Sequence, residues 1–201
     1  MYFRPLCTAL IMSSAALALS ACATPAYTGP VEVTRFVGDA PETATLGSGS
    51  ISLVPAPGLE EGLEYGLYQQ AVAGELATLG YDVIETGGAQ IAQITFTQAV
   101  SREDGRGPVS VGGGASTGSY GSGLGLGIGF NLGGGARERL ETRLAVSIRD
   151  AVSGEALWEG RSSFAASANS DDAEPAIAAH KLAEALFAGF LGESGETVEV
   201  E

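Results

Sequence analysis

The sequence is poor in cysteine, histidine and positive charge, and each shortage removes a class of function. Two cysteines, one histidine and ten lysines plus arginines occur in 201 residues. Cys7 lies inside an N-terminal apolar run and Cys22 closes it, so no internal disulfide is available to the remainder, which must be held by packing. No HExxH pair or cysteine cluster is present, so no metal site of recognisable spacing is expected. Neither GxGxxG nor a Gly-Lys-Ser/Thr P-loop occurs, and no cofactor is expected. With 24 acidic residues the formal charge is −14. Such a surface repels phosphate backbones and argues against nucleic acid as a partner.

What is present begins at the N-terminus. Arg4 is the single charge among the first 21 residues, and residues 6–19 are apolar or small. That run is long enough to engage a translocon but short of the roughly 20 residues of a spanning helix, so it reads as a signal peptide. It ends in Leu19-Ser20-Ala21-Cys22, which resembles the lipobox of bacterial lipoproteins. Cleavage between Ala21 and Cys22 would free the Cys22 thiol to carry a diacylglyceryl group, with a further acyl chain such as palmitate on the new N-terminus. Each buried CH₂ contributes about 0.8 kcal/mol of membrane affinity, and two or three chains make a durable anchor. Ala21-Cys22-Ala23 also fits a small-x-small site of ordinary secretion. The lipid reading is preferred because a free cysteine is poorly suited to an exposed N-terminus in an oxidising compartment. Ala23, where inner-membrane retention favours Asp, points to the outer membrane with the domain facing the periplasm.

Loss of residues 1–21 leaves 180 residues with 24 acidic and nine basic side chains, enough for one domain. Anionic headgroups would repel this surface, so the membrane is expected as a partner through the N-terminal lipid alone. Residues 22–30 comprise the lipidated cysteine and a Pro- and Gly-containing tether. Residues 31–201 form a single domain with a glycine-rich insert at 105–135, where 14 of 31 positions are glycine.

Periodicity supplies the elements. Val31, Val33, Arg35 and Val37 alternate against Glu32, Thr34 and Phe36, a strand pattern. Residues 50–54 form another short strand, closed by Pro55 and Pro57. A helix is predicted over 59–79 from Leu59, Leu63, Leu67 and Ala71, stopped by Gly80. Strands are predicted at 91–100, 140–148 and 156–166, the last two joined by turn residues 150–155 into a hairpin. Asp171, Asp172 and Glu174 ahead of Pro175 start a second helix, with Leu182, Leu186 and Phe190 buried and Gly192 ending it. The fold class is therefore α+β: a mostly antiparallel sheet with two amphipathic helices packed on one face. Trp158 and Phe164 share a strand face and are expected against the terminal helix.

The order of lipobox, strand, helix ending in LGYDVI, strand, glycine-rich insert, RLAVSIRDAVSGEALWEGRSSF, terminal helix and GESGETVEV resembles the bacterial envelope lipoproteins grouped as domain of unknown function 4136. The resemblance covers most of residues 31–200. It implies an α+β envelope domain and supplies no catalytic or ligand-binding residue.

Four local features invite a functional reading. His180 is the single imidazole and would serve an envelope hydrolase, but no nucleophile stands with it and helix-surface placement is the simpler reading. The acids at 171–174 lack the ordered ligand alternation of a calcium loop and are better read as helix capping. Arg137, Arg139, Arg143, Arg149 and Arg161 could form an anion or peptidoglycan site, yet Glu138, Glu141, Asp150, Glu155 and Glu159 accompany them, so cross-strand ion pairing is preferred. Finally, Leu124, Leu126, Ile128 and Phe130 alternate with glycine at 123, 125, 127 and 129, a candidate interaction segment. It is expected either to pair with the sheet or to order on a partner, with residues 110–121 unstructured. The function so read is a lipid-anchored envelope protein, more a non-catalytic binding or assembly module for an envelope protein or a second copy than an enzyme. A carrier of lipid or another apolar ligand is the further alternative.

Overall fold

The computed structural model describes residues 25–39, 45–102, 109–118, 121–130 and 138–201, with backbone alone at 101, 102 and the two segments within 109–130. Among the described residues nine strands and two α-helices follow one another: β1 (Val31–Val37), β2 (Gly49–Pro55), α1 (Leu63–Leu79), β3 (Tyr81–Val83), β4 (Gln90–Arg102), β5 (Val109–Gly118), β6 (Gly121–Phe130), β7 (Glu138–Asp150), β8 (Ala156–Ser167), α2 (Pro175–Phe187) and β9 (Thr197–Val200). Seven strands make one sheet in the order β3-β2-β4-β7-β8-β1-β9. It is mostly antiparallel; β2 runs parallel to both β3 and β4. The α+β class read from periodicity is thus what the chain adopts.

The β7–β8 hairpin forms where the turn chemistry placed it. Asp150 Oδ1 accepts hydrogen bonds from the Val152 and Ser153 amides at 2.9 and 2.7 Å, and Gly154 takes the positive φ the turn needs. Those donors hold the Asp150 carboxyl below its ordinary range.

Both helices cover the same face of the sheet. There Ile94, Val146 and Ile148 from β4 and β7 meet Leu182, Ala183 and Leu186 from α2, and Tyr68, Val72 and Leu76 from α1, in one core. Trp158 is 1% exposed and lies between Phe187 and Phe190, with ring centroids 5.4 and 5.3 Å away. The expected burial against the terminal helix therefore holds. Gly160 is required beneath it, because a Cβ there would stand 2.3 Å from the indole and 2.7 Å from Leu186. Burial of side chains this large contributes roughly 1.5–3 kcal/mol each.

The helices differ from expectation at their ends. Helix α1 begins at Leu63 and not Leu59, since Gly62 is extended and Leu59 closes a turn on Ala56. Its buried stripe is Tyr65, Tyr68, Ala71, Val72 and Leu76, and Leu63 is 96% exposed. Two tyrosines bury more surface than the leucines on the flank, and that rotates the helix. Gly80 caps it in the left-handed region, as predicted. Helix α2 stops at Phe187; Phe190 still reaches the core, from a turn in which Gly189, Leu191 and Gly192 all have positive φ.

Within the insert the backbones of β5 and β6 pair antiparallel with each other, and the main sheet does not include them. The segment 110–121, expected without fixed structure, thus contributes most of β5.

Candidate functional site

The sheet face opposite the helices is the one surface where described polar groups converge. Cross-strand register builds it in rows: Thr95, Ala145, Arg161, Thr34 and Thr197 lie side by side across β4, β7, β8, β1 and β9. The adjoining row is Thr97, Arg143, Ser163, Glu32 and Glu199. Small residues form a floor and the arginines stand above it, leaving a trough of about 430 Å³. A second hollow of about 160 Å³ shares Thr95, Ala145 and Arg161 and reaches Arg149 and Glu159.

Two ion pairs of this face run along strands. Arg143 bonds Glu141 through Nε, at 3.0 Å, and through Nη2, and Arg161 lies 4.0 Å from Glu159. Each of these pairs is two residues apart, on the same side of one strand, where cross-strand partners were expected, and Arg137 lies outside the described residues. Arg139 stacks over the Tyr27 ring at 5.1 Å. Arg149 donates to the Gly154 carbonyl at 3.3 Å, while its Nε and the Ser147 hydroxyl are buried with no hydrogen-bond partner among the described residues. Hydroxyls, guanidinium groups and carboxylates on this face can hydrogen-bond a polar ligand. Among the described residues none of them meets an imidazole.

The remaining candidates separate from one another. His180 is exposed on α2 and makes no hydrogen bond or ion pair among the described residues. Geometry for a hydrolase is therefore lacking around it. Asp171 and Asp172 form a short 3₁₀ turn capped by the Ser170 hydroxyl, Glu174 accepts from the Ile177 amide at 3.4 Å, and Asp172 meets Lys181 at 3.3 Å. Glu174 thus caps α2 and Asp172 braces it, and no group of three metal-ligating side chains occurs among the described residues. Side chains from both helices and the sheet pack into one core, and a hollow of about 290 Å³ opens at its edge between Gly66, Gln70 and Ala73 of α1 and Leu53 and Val83 of the sheet. Ala21 and Cys22 lie outside the described residues, as do the side chains of Leu124, Leu126, Ile128 and Phe130.

One polar residue escaped the functional reading. Arg35, 7% exposed, sends Nε to the Leu186 carbonyl and Nη2 to that of Ala185, both at 2.9 Å, and Nη2 also to Ala188. It closes the C-terminus of α2, where unpaired carbonyls and the helix dipole favour a cation. Burial pushes its guanidinium below the ordinary value. The signal was visible in the alternation, which put Arg35 on the face of Val31 and Val33.

No family model matches the chain. The uncharacterized protein ZMO1243 of Zymomonas mobilis subsp. mobilis is 32% identical over 221 aligned positions, covering 87% of this chain and 81% of that protein. Among solved structures, a PDZ domain protein from Parabacteroides distasonis superposes with a TM-score of 0.49 at 12% identity, over 94% of this chain and 42% of that one. The PelC dodecamer from Paraburkholderia phytofirmans gives 0.39 at 10% identity, over 84% of this chain and all of that one. This chain thus spans less than half the length of the first of these structures.

Proposed function

We propose that this chain, which belongs to the same family as the uncharacterized protein ZMO1243 of Zymomonas mobilis, is a lipid-anchored protein of the bacterial envelope whose domain is a non-catalytic binding or assembly module. The observation that carries the reading is the placement of Leu19-Ser20-Ala21-Cys22 at the end of an apolar signal, five residues before Tyr27. At Tyr27 the chain joins the sheet, its amide donating to the Ser167 hydroxyl at 2.8 Å. The likeness of the motif order to the domain of unknown function 4136 lipoproteins supports the same reading and belongs to it as a proposal. So do outer-membrane sorting, a periplasm-facing domain and a role for the glycine-rich insert in contacting a partner.

No described helix is long and apolar enough to cross a membrane, so the acyl chains would supply the attachment. The hydrolase reading finds no support in an exposed His180, and the carrier reading has only the small hollow between α1 and the edge of the sheet to draw on. Cys22→Ser tests the anchor: acyl labelling should disappear and the protein should move to the soluble periplasmic fraction. Membrane attachment unchanged in that variant would refute it. Crosslinking in native envelopes followed by recovery of the lipidated protein tests the module; no specific partner and no self-association would count against it.

A further inference from the structure

The two roots of the insert, Arg102 and Glu138, and the described part of the tether lie at the same end of the sheet. The tether enters at Tyr27 and Thr28: the Ser167 amide donates to the Tyr27 carbonyl at 2.8 Å, and Thr28 bridges Ala166. Both partners belong to the last residues of β8, which pair with Arg139 and Leu140 at the start of β7. That start pairs with the end of β4, Arg102 opposite Glu138, and between those two residues lies the insert. Neighbouring strands are about 4.8 Å apart, so Tyr27 sits roughly 10–15 Å from the root of the insert. Cys22 lies five positions before Tyr27, a reach of at most about 18 Å. However the domain turns on its tether, the root of the insert stays close to the membrane that holds Cys22.

What emerges there suits a bilayer. Residues 107–136 contain no Asp, Glu, Lys, Arg or His. In the β5–β6 register Ser110, Gly112, Gly114, Ser116 and Gly118 stand opposite glycine at 129, 127, 125, 123 and 121. The alternate positions pair Val109 with Phe130, Val111 with Ile128, Gly113 with Leu126 and Ala115 with Leu124. One face of the ribbon is thus assigned only glycine and serine, and the other carries all six of its large apolar residues. Arg102, Arg106, Arg137 and Arg139 flank the stretch with three acids, a locally cationic collar in a chain otherwise strongly acidic.

The geometry points to the β5–β6 hairpin as a second membrane contact, lying in the lipid interface beside the Cys22 anchor with its large residues toward the acyl chains. Lying flat in the interface keeps the two edges of the ribbon, where its unpaired peptide groups point, within reach of headgroups and water, whereas a lone ribbon crossing hydrocarbon would leave them unsatisfied. This inference rests on the proposed lipidation, and its test separates the two.

Full-length lipidated protein carrying Leu126→Cys, labelled with an environment-sensitive fluorophore, is reconstituted in phosphatidylethanolamine–phosphatidylglycerol vesicles with and without bilayer-embedded quencher lipid. Ile128→Cys is a second hairpin probe. Val152→Cys, exposed in the turn at the far end of β7, is the control. The hairpin labels should shift to the blue and be quenched, and the control label should do neither. Hairpin labels that behave like the control while the protein floats with vesicles overturn the inference and leave the anchor intact. A blue shift found in native envelopes but not in protein-free vesicles assigns the hairpin to a protein partner and also overturns it. If Cys22 proves unacylated, the anchor reading fails by itself. Added vesicles then decide the hairpin: binding with the shift upholds it, and no binding refutes it.

Discussion

Replacing Arg35 by Met would remove a cation that binds three carbonyls at the end of α2 while keeping most of the side-chain volume. A hydrogen bond to a charged group contributes about 1.5–3 kcal/mol, though bonds sharing one guanidinium are not additive. The dipole contact adds up to about 2 kcal/mol in partly buried geometry. Relief of the buried charge offsets part of this, as the lowered Arg35 pKa indicates. The net loss should be about 2–4 kcal/mol. For a domain of this size each kcal/mol moves Tm by roughly 2–4 °C, so thermal unfolding should fall by roughly 4–16 °C. Arg35→Lys should fall in between, because an ammonium restores the charge but cannot present the planar fork that serves successive carbonyls. Hydrogen exchange should show the last turn of α2 opening first. A Met variant within about 0.5 kcal/mol of the parent would refute the reasoning, since it would mean that burying the charge costs as much as its three bonds return.

Trp158→Ala should cost about 3–5 kcal/mol in denaturant unfolding, because the indole fills the space between Phe187, Phe190 and Gly160; a near-neutral result would mean that this face of β8 is not core. Stability should also fall at high pH. Burial, and then Glu64, push the Tyr68 hydroxyl up to about 12, and burial raises Tyr65 and Tyr81 too. The folded state holds protons that the unfolded chain releases near pH 10, so this stabilisation is complete below pH 10 and is lost as pH climbs toward 12. Tyr68 alone contributes on the order of 2–3 kcal/mol. Tyrosinate absorbance should rise together with unfolding; titration of all the tyrosines near pH 10 with the fold intact would contradict it.

Much of the domain was legible locally. β1, the β7–β8 hairpin, the capped start of α2 and the burial of Trp158 follow from alternation, turn residues and helical spacing, which act within a few positions of the chain. The proposed lipobox is likewise a local pattern, and the proposal for Cys22 rests on the sequence alone. Other features depend on which segments meet. The parallel placement of β2, the short edge strands β3 and β9, and the burial of Tyr65 and Tyr68 in place of Leu63 are set by what each face finds opposite it. Arg35 is tolerated inside only because the end of α2, some 150 residues later, supplies the carbonyls it needs. The trough on the open face exists because register aligns small residues from five strands. The shared exit of tether and insert is a property of the sheet order, which no run of neighbouring residues encodes. Periodicity decides which side of an element seeks the core, whereas partner, register and end are chosen by the packing of distant segments.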